Sequence, residues 1–170
     1  MPSGDSQQSY VTIPKNNLKQ PDREQFILES LKTYLMTNKE HYFLAGGGEM
    51  GELMRAKDWS LTSLGNPDTW PQSLRTVVAL MLENPFGMYI SWGNDHVQLY
   101  NDGYRPILGA TKHPQALGIS SSETFSEIWD IIGPMFDDAM NGKPVRHSDL
   151  LLNLNRNGYI EECYFDFSYS

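Results

Sequence analysis

His147 and Asp149 stand two apart in a segment with the alternation of a β-strand, so they are expected to share a face, where an imidazole and a carboxylate can do acid-base work. The other histidines are scattered: His41 precedes the patterned region, His96 falls in a turn, and His113 lies in a proline-flanked loop. No two of them have metal-ligand spacing on a shared helix, so all four histidines are expected at the surface. Gly46, Gly48 and Gly51 satisfy G-x-G-x-x-G after the apolar run 42–45 and before a helical segment. A dinucleotide loop also needs a second parallel strand at the proper distance. Here Trp59 and a Pro-rich loop follow instead, so the glycines are expected to form a flexible joint. Cys163 is the single cysteine, which excludes an internal disulfide and any multi-cysteine zinc site; it is expected to be a small core residue.

The 170 residues carry a formal net charge of -8. An acidic chain lacks the basic surface that nucleic acid or anionic lipid requires. No apolar run approaches the about 20 residues of a membrane helix, and the N-terminus lacks the order of a signal peptide, so the expected location is cytoplasmic.

The elements that must position any chemistry follow from periodicity. Residues 1–20 are polar and are expected to form a disordered tail. Residues 21–84 read as a helical N-terminal extension. It starts with an amphipathic helix over 22–38, with Ile27, Leu31, Tyr34 and Leu35 on one face. A short helix over 49–57 follows, then a longer one over 69–82 with Leu74, Val77, Val78, Met81 and Leu82 inward. From 85 onward, Met88, Ile90 and Trp92 alternate with Tyr89 and Ser91, and Val97 and Leu99 with Gln98 and Tyr100. That is the pattern of two half-buried strands around the turn Gly93-Asn94-Asp95. A short helix starts at Asn101 or Asp102, where Asn101 is expected to cap it. Another helix spans 126–141, with Ile128, Ile132, Met135 and Ala139 on one face and Pro134 inside.

The last segment predicts a hairpin around a two-residue type I′ turn at Asn157-Gly158. That turn pairs Leu154 with Glu161, Leu152 with Cys163, Leu150 with Phe165 and Ser148 with Phe167, and directs all of these but Ser148 and Glu161 to the core. The opposite face, with Leu151, Ile160 and Tyr164, is too apolar for solvent alone. The helix of 22–38 or a second protomer is expected to cover it.

This element order, together with MGELMRAKDWS (50–60), LGNPDTWPQSLRTVVALML (64–82), LYNDGYRPILGATKHPQALG (99–118), EIWDIIGPMF (127–136) and DLLLNLNRNGYIEECYFDFSYS (149–170), resembles the N-terminal PAS domain of bacterial sensor and hybrid histidine kinases. The resemblance implies an α+β fold, a PAS-like antiparallel sheet with helices on one face. Residues 85–170 then form the PAS-like domain itself, truncated at its C-terminus. A final central strand, which PAS domains place between the first and fourth strands, is missing here. The resulting slot is expected to be filled by 42–45, by Val11-Thr12-Ile13 or by a partner. The resemblance also implies a sensory module of a two-component phosphorelay, with kinase domains downstream; the apolar outer sheet face or the N-terminal helix is expected to offer a homodimer contact.

No phosphoacceptor-histidine setting and no ATP lid occur in this chain, so it is expected to have no catalysis of its own; the alternatives are a purely structural dimerisation domain or a small enzyme using His147 and Asp149. The heme-ligating histidine that some PAS members carry on the long helix has no counterpart in 126–141, and the Asn-Cys-Arg-Phe motif of flavin light sensors does not occur, so no such cofactor is expected. The expected ligand is a small organic molecule in a pocket lined by Trp92, Tyr100, Tyr104, Trp129, Met135, Leu152 and Cys163, with Asn101 at its edge. The same side chains would fill a solid core equally well.

Overall fold

The computed structural model describes residues 25–30 and 41–170. Residues 25–30 are helical (α1), and Phe26, Ile27 and Leu28 are exposed there. The expected partners on that helix, Leu31, Tyr34 and Leu35, lie outside the described residues, as do the 1–20 tail and Val11-Thr12-Ile13. Residues 41–170 belong to a separate unit with α+β architecture.

That unit begins with a 3-10 turn at Tyr42–Leu44, then α2 (Gly48–Ala56) and α3 (Gln72–Glu83). Leu74, Val78, Met81 and Leu82 recur at helical spacing and are buried; Pro71, which has no N–H to leave unpaired, stands at the N-cap. Phe43 packs on the Trp70 ring at 5.7 Å, and Trp59 meets Trp70 edge-on at 5.0 Å. Tyr42–Leu44 is therefore not a strand, so it fills no slot in a sheet.

The glycine run is no phosphate cradle either. No strand precedes it among the described residues, and in the first turn of α2 the Met50 N–H already has a protein partner, donating to Asp102 Oδ1 at 3.1 Å. A Cβ on Gly48, whose φ is +50°, would come within 2.3 Å of the Asp102 carboxylate. The carboxylate takes the place an anion would need. Asp102 thus closes over the joint.

Strands β1 (Tyr89–Trp92) and β2 (Val97–Tyr100) pair antiparallel, Tyr89 opposite Tyr100 and Ser91 opposite Gln98. The alternation predicts one solvated face, yet every residue of β2 is buried. Helix α3 contacts β2, while Tyr89, Gln98 and Tyr100 reach residues of the 113–124 region from the other face. Helix α3 therefore packs with the strands. The second edge of β2 is also used: Gln98 N–H donates to Ile119 O at 3.0 Å and Gly118 N–H to Gln98 O at 2.9 Å.

A 3-10 turn at Asp102–Tyr104 leads into α4 (Arg105–Lys112), followed by the short α5 (Ser121–Thr124) and α6 (Trp129–Met140). On α6 the buried stripe is Ile132, Gly133 and Phe136, with Met135 and Ala139 at its margin. The indole of Trp129 lies over Gly133, where a Cβ would come within 3.0 Å of its Nε1.

Strands β3 (Val145–Asn155) and β4 (Ile160–Tyr169) form the long hairpin, and Leu154, Leu152 and Leu150 face Glu161, Cys163 and Phe165 as the sequence predicts. Two details differ. The loop has four residues, Arg156 to Tyr159, and only Gly158 takes positive φ, so the type I′ turn is not made. The tip is claimed by α4: Thr111 N–H donates to Arg156 O at 3.0 Å and Ala110 N–H to Asn157 Oδ1 at 3.1 Å. The register survives because widening a two-residue loop by one residue on each side leaves every facing pair unchanged. Further along, Phe167 faces His147 instead of Ser148. A bulge at Ser148-Asp149 inserts one residue, with Asp149 at φ 58° and its N–H on Asp166 Oδ1 at 2.8 Å.

The expected single sheet is realised as two separate two-stranded sheets, β1-β2 and β3-β4. Neither β1 nor β4 has a second ladder partner among the described residues. The outer face of the long hairpin leaves Leu151, Ile160 and Tyr164 exposed. No helix among the described residues is long and apolar enough to cross a membrane.

Candidate functional site

The register of β1 and β2 sorts their side chains. Tyr89, Ser91, Gln98 and Tyr100 share one face, and Ile90, Trp92, Val97 and Leu99 the other. The first face looks toward α4, α5 and α6, and it carries hydroxyls and an amide instead of aliphatic groups. Tyr89 O–H donates to Ser121 Oγ, which donates in turn to His96 O at 2.8 Å. Gln98 Nε2 donates to Thr124 Oγ1, and Ser91 Oγ lies 3.2 Å from His96 Nδ1.

Aromatic rings continue this face. Tyr104 lies 5.1 Å from Tyr89 and 6.1 Å from Tyr100, and Phe136 joins Tyr89 at 6.2 Å, Trp129 at 5.3 Å and Tyr169 of β4 at 4.7 Å. The cluster therefore bridges the two sheets by ring contact where no ladder joins them. Burial drives the hydroxyls of Tyr89, Tyr100 and Tyr104 well above the usual phenol range and pushes Tyr169 up to about 12. All four are neutral at physiological pH.

A second polar chain leads from this face to the surface. Tyr100 O–H lies 3.0 Å from His113 Nδ1, His113 Nε2 lies 3.2 Å from Glu49 Oε1, and Arg105 Nη1 lies 2.8 Å from Glu49 Oε2. A neutral imidazole protonated on Nε2 satisfies every contact: it donates to Glu49 and accepts from Tyr100. Elsewhere burial raises the Glu127 carboxyl, but the hydrogen bond from Lys112 and backbone donors outweigh that and hold it below its usual value.

The structure brings some of the sequence-expected residues together. Tyr100, Tyr104 and Trp129 join the aromatic cluster, directly or through Phe136 and Tyr89, and Leu152 and Cys163 face each other within the buried inner side of the long hairpin. Met135 packs at the core margin, and Trp92 falls on the opposite face of β1 from Tyr100. Asn101 is 1% exposed and does not cap the next helix. Its Oδ1 accepts from Met88 N–H at 2.8 Å, and its Nδ2 approaches the carbonyls of Met81, Asn84 and Phe86 at 3.0, 2.8 and 2.8 Å. The amide is fully engaged in tying the end of α3 to the start of β1.

His147 and Asp149 do not share a face. The bulge between them leaves His147 half-buried, its ring 5.6 Å from that of Phe167, while Asp149 is exposed. None of the four histidines is a plain surface residue. Each is half-buried against an aromatic ring: His41 on Phe43, His96 on Trp129, His113 on Tyr100 and His147 on Phe167. No group of three His, Cys, Asp or Glu among the described residues is placed to hold a metal ion.

Tyr89, Gln98, Ser121, Phe136 and Tyr169 escape a sequence reading that assigns one face of each strand to solvent. The signal lay in residue type, since Tyr89, Ser91, Gln98 and Tyr100, which share this face, include no charged group. Comparison of the chain with protein-family models, with curated proteins and with solved structures finds no match.

Proposed function

We propose that this chain is a PAS-type sensory and interaction module of a two-component signalling protein, non-catalytic itself, acting on a histidine kinase region outside this sequence. The observation that carries the reading is the aromatic cluster of Tyr89, Tyr104, Phe136 and Tyr169. It joins two hairpins that share no backbone ladder, so ring packing is a direct link between them. A ligand that inserts among those rings changes how β4 sits against β1. A kinase region attached beyond β4 would feel that change as a shift between two packed states. The open edge of β1 supports the same reading, because the strand that PAS domains add last would pair there. A second copy or further chain elements would cover Leu151, Ile160 and Tyr164.

The test uses the full-length protein. Replacing Tyr104 with Ala is expected to change the autophosphorylation rate at least several-fold, with the domain still folded by circular dichroism. A full-length protein that does not autophosphorylate, or a folded variant with an unchanged rate, refutes the reading.

A further inference from the structure

Gln98 is 0% exposed, and its Oε1 has no hydrogen-bond partner among the described residues. The orientation of the amide is set by its neighbour. Thr124 Oγ1 lies 3.3 Å from Ser120 O, to which only its hydroxyl hydrogen can be given, so it must accept from Gln98 Nε2. The orphan is therefore an acceptor. Leaving a buried acceptor unmade is among the more expensive defects a core can carry.

The surroundings narrow what would satisfy it. Gln98 lies on the strand face it shares with Tyr89, Ser91 and Tyr100. The donors nearby are committed: Tyr89 to Ser121, and Ser121 to His96 O. Lys112, which reaches the Thr124 carbonyl, is paired with Glu127 at 2.8 Å. A ligand with one donor would satisfy the orphan, whereas a negatively charged one would find Lys112 already paired. The aromatic cluster beyond is not sealed, for Tyr89, Tyr104, Trp129 and Tyr169 are each only half-buried.

We propose that this face takes a small neutral aromatic molecule that stacks among Tyr89, Tyr104 and Phe136 and donates one N–H to Gln98 Oε1. The inference rests on the sensory reading and specifies its ligand class. Indole and 1-methylindole are the probes, because they have nearly the same shape and ring electrons but only the first has a donor. By calorimetry the wild-type chain is expected to bind indole at least tenfold more tightly than 1-methylindole, the size of one buried hydrogen bond. Gln98→Leu removes the orphan acceptor, so without ligand its melting temperature is expected to equal or exceed that of the wild type, and its discrimination between the probes is expected to vanish. Gln98→Met serves the same purpose if the Leu variant fails to fold.

Absence of indole binding, equal binding of the two probes by the wild type, or discrimination retained in the folded Gln98 variants would each overturn the proposal. If the probes fail while Tyr104→Ala still alters autophosphorylation, the ligand class falls and the sensory reading stands.

Discussion

Asn101 shows how much one side chain can hold when all its polar atoms are used. Its amide joins the Met81, Asn84 and Phe86 carbonyls to the Met88 N–H, so the turn out of α3 is closed by a residue 13 positions beyond Met88. Asn101→Ala would strand buried carbonyls and is expected to lower unfolding stability by about 3 kcal/mol in denaturant titration. Asn101→Asp presents a carboxylate to the same carbonyls, which raises the folded-state pKa of that Asp. The variant should therefore be more stable near pH 4, where the protonated group donates, than near pH 7, where it does not. From the sequence Asn101 reads as a helix cap, since Asn before a helix usually is one. What overrides that preference is the nearness of three carbonyls from a segment that local pattern cannot place beside it.

Among the elements, the long hairpin is the one whose register was most legible and whose details were least so. Alternating Leu150, Leu152 and Leu154 against Cys163 and Phe165 leaves one register that buries apolar groups together, whatever the turn. The turn itself and the bulge answer to other parts of the molecule, α4 for the first and Asp166 for the second. Gly158, at φ 88°, has open space around a would-be Cβ, so the penalty of Gly158→Ala is conformational alone. It is expected to be about 1–2 kcal/mol by thermal or chemical unfolding, with no change in the β3-β4 pairing seen by amide exchange. The bulge also turns His147 and Asp149 to different faces.

At the scale of the whole molecule, neutral tyrosines hold the two hairpins together. The Tyr169 hydroxyl is pushed from the ordinary phenol value of 10.0 up to about 12 by burial, and those of Tyr89, Tyr100 and Tyr104 are raised as well. A folded-state pKa above the unfolded one means that the native chain binds more protons between the two values. Tyr169's contribution is complete below pH 10 and is lost as pH rises through 12, whereas those of Tyr89, Tyr100 and Tyr104 extend to still higher pH. Stability followed by near-ultraviolet circular dichroism is expected to fall over that window, with phenolate absorbance rising in step with loss of structure. In Tyr169→Phe, which cannot ionise there, the fall should be shallower.

The amino-acid sequence by itself determined the longer helices and the strands from residue 48 onward, though not α5; it also determined the pairing of Leu150, Leu152 and Leu154 in the long hairpin, and the α+β class. All of these depend on the spacing of apolar residues along the chain, which local geometry reads directly. Tertiary structure alone decided that β1 and β2 are covered on both faces, that Trp92 and Tyr100 part company, that Asn101 is a clamp, and that Gln98 is buried with a free acceptor. Each of these turns on which distant segment lies across from a residue, and spacing along one strand carries no record of what packs against its second face.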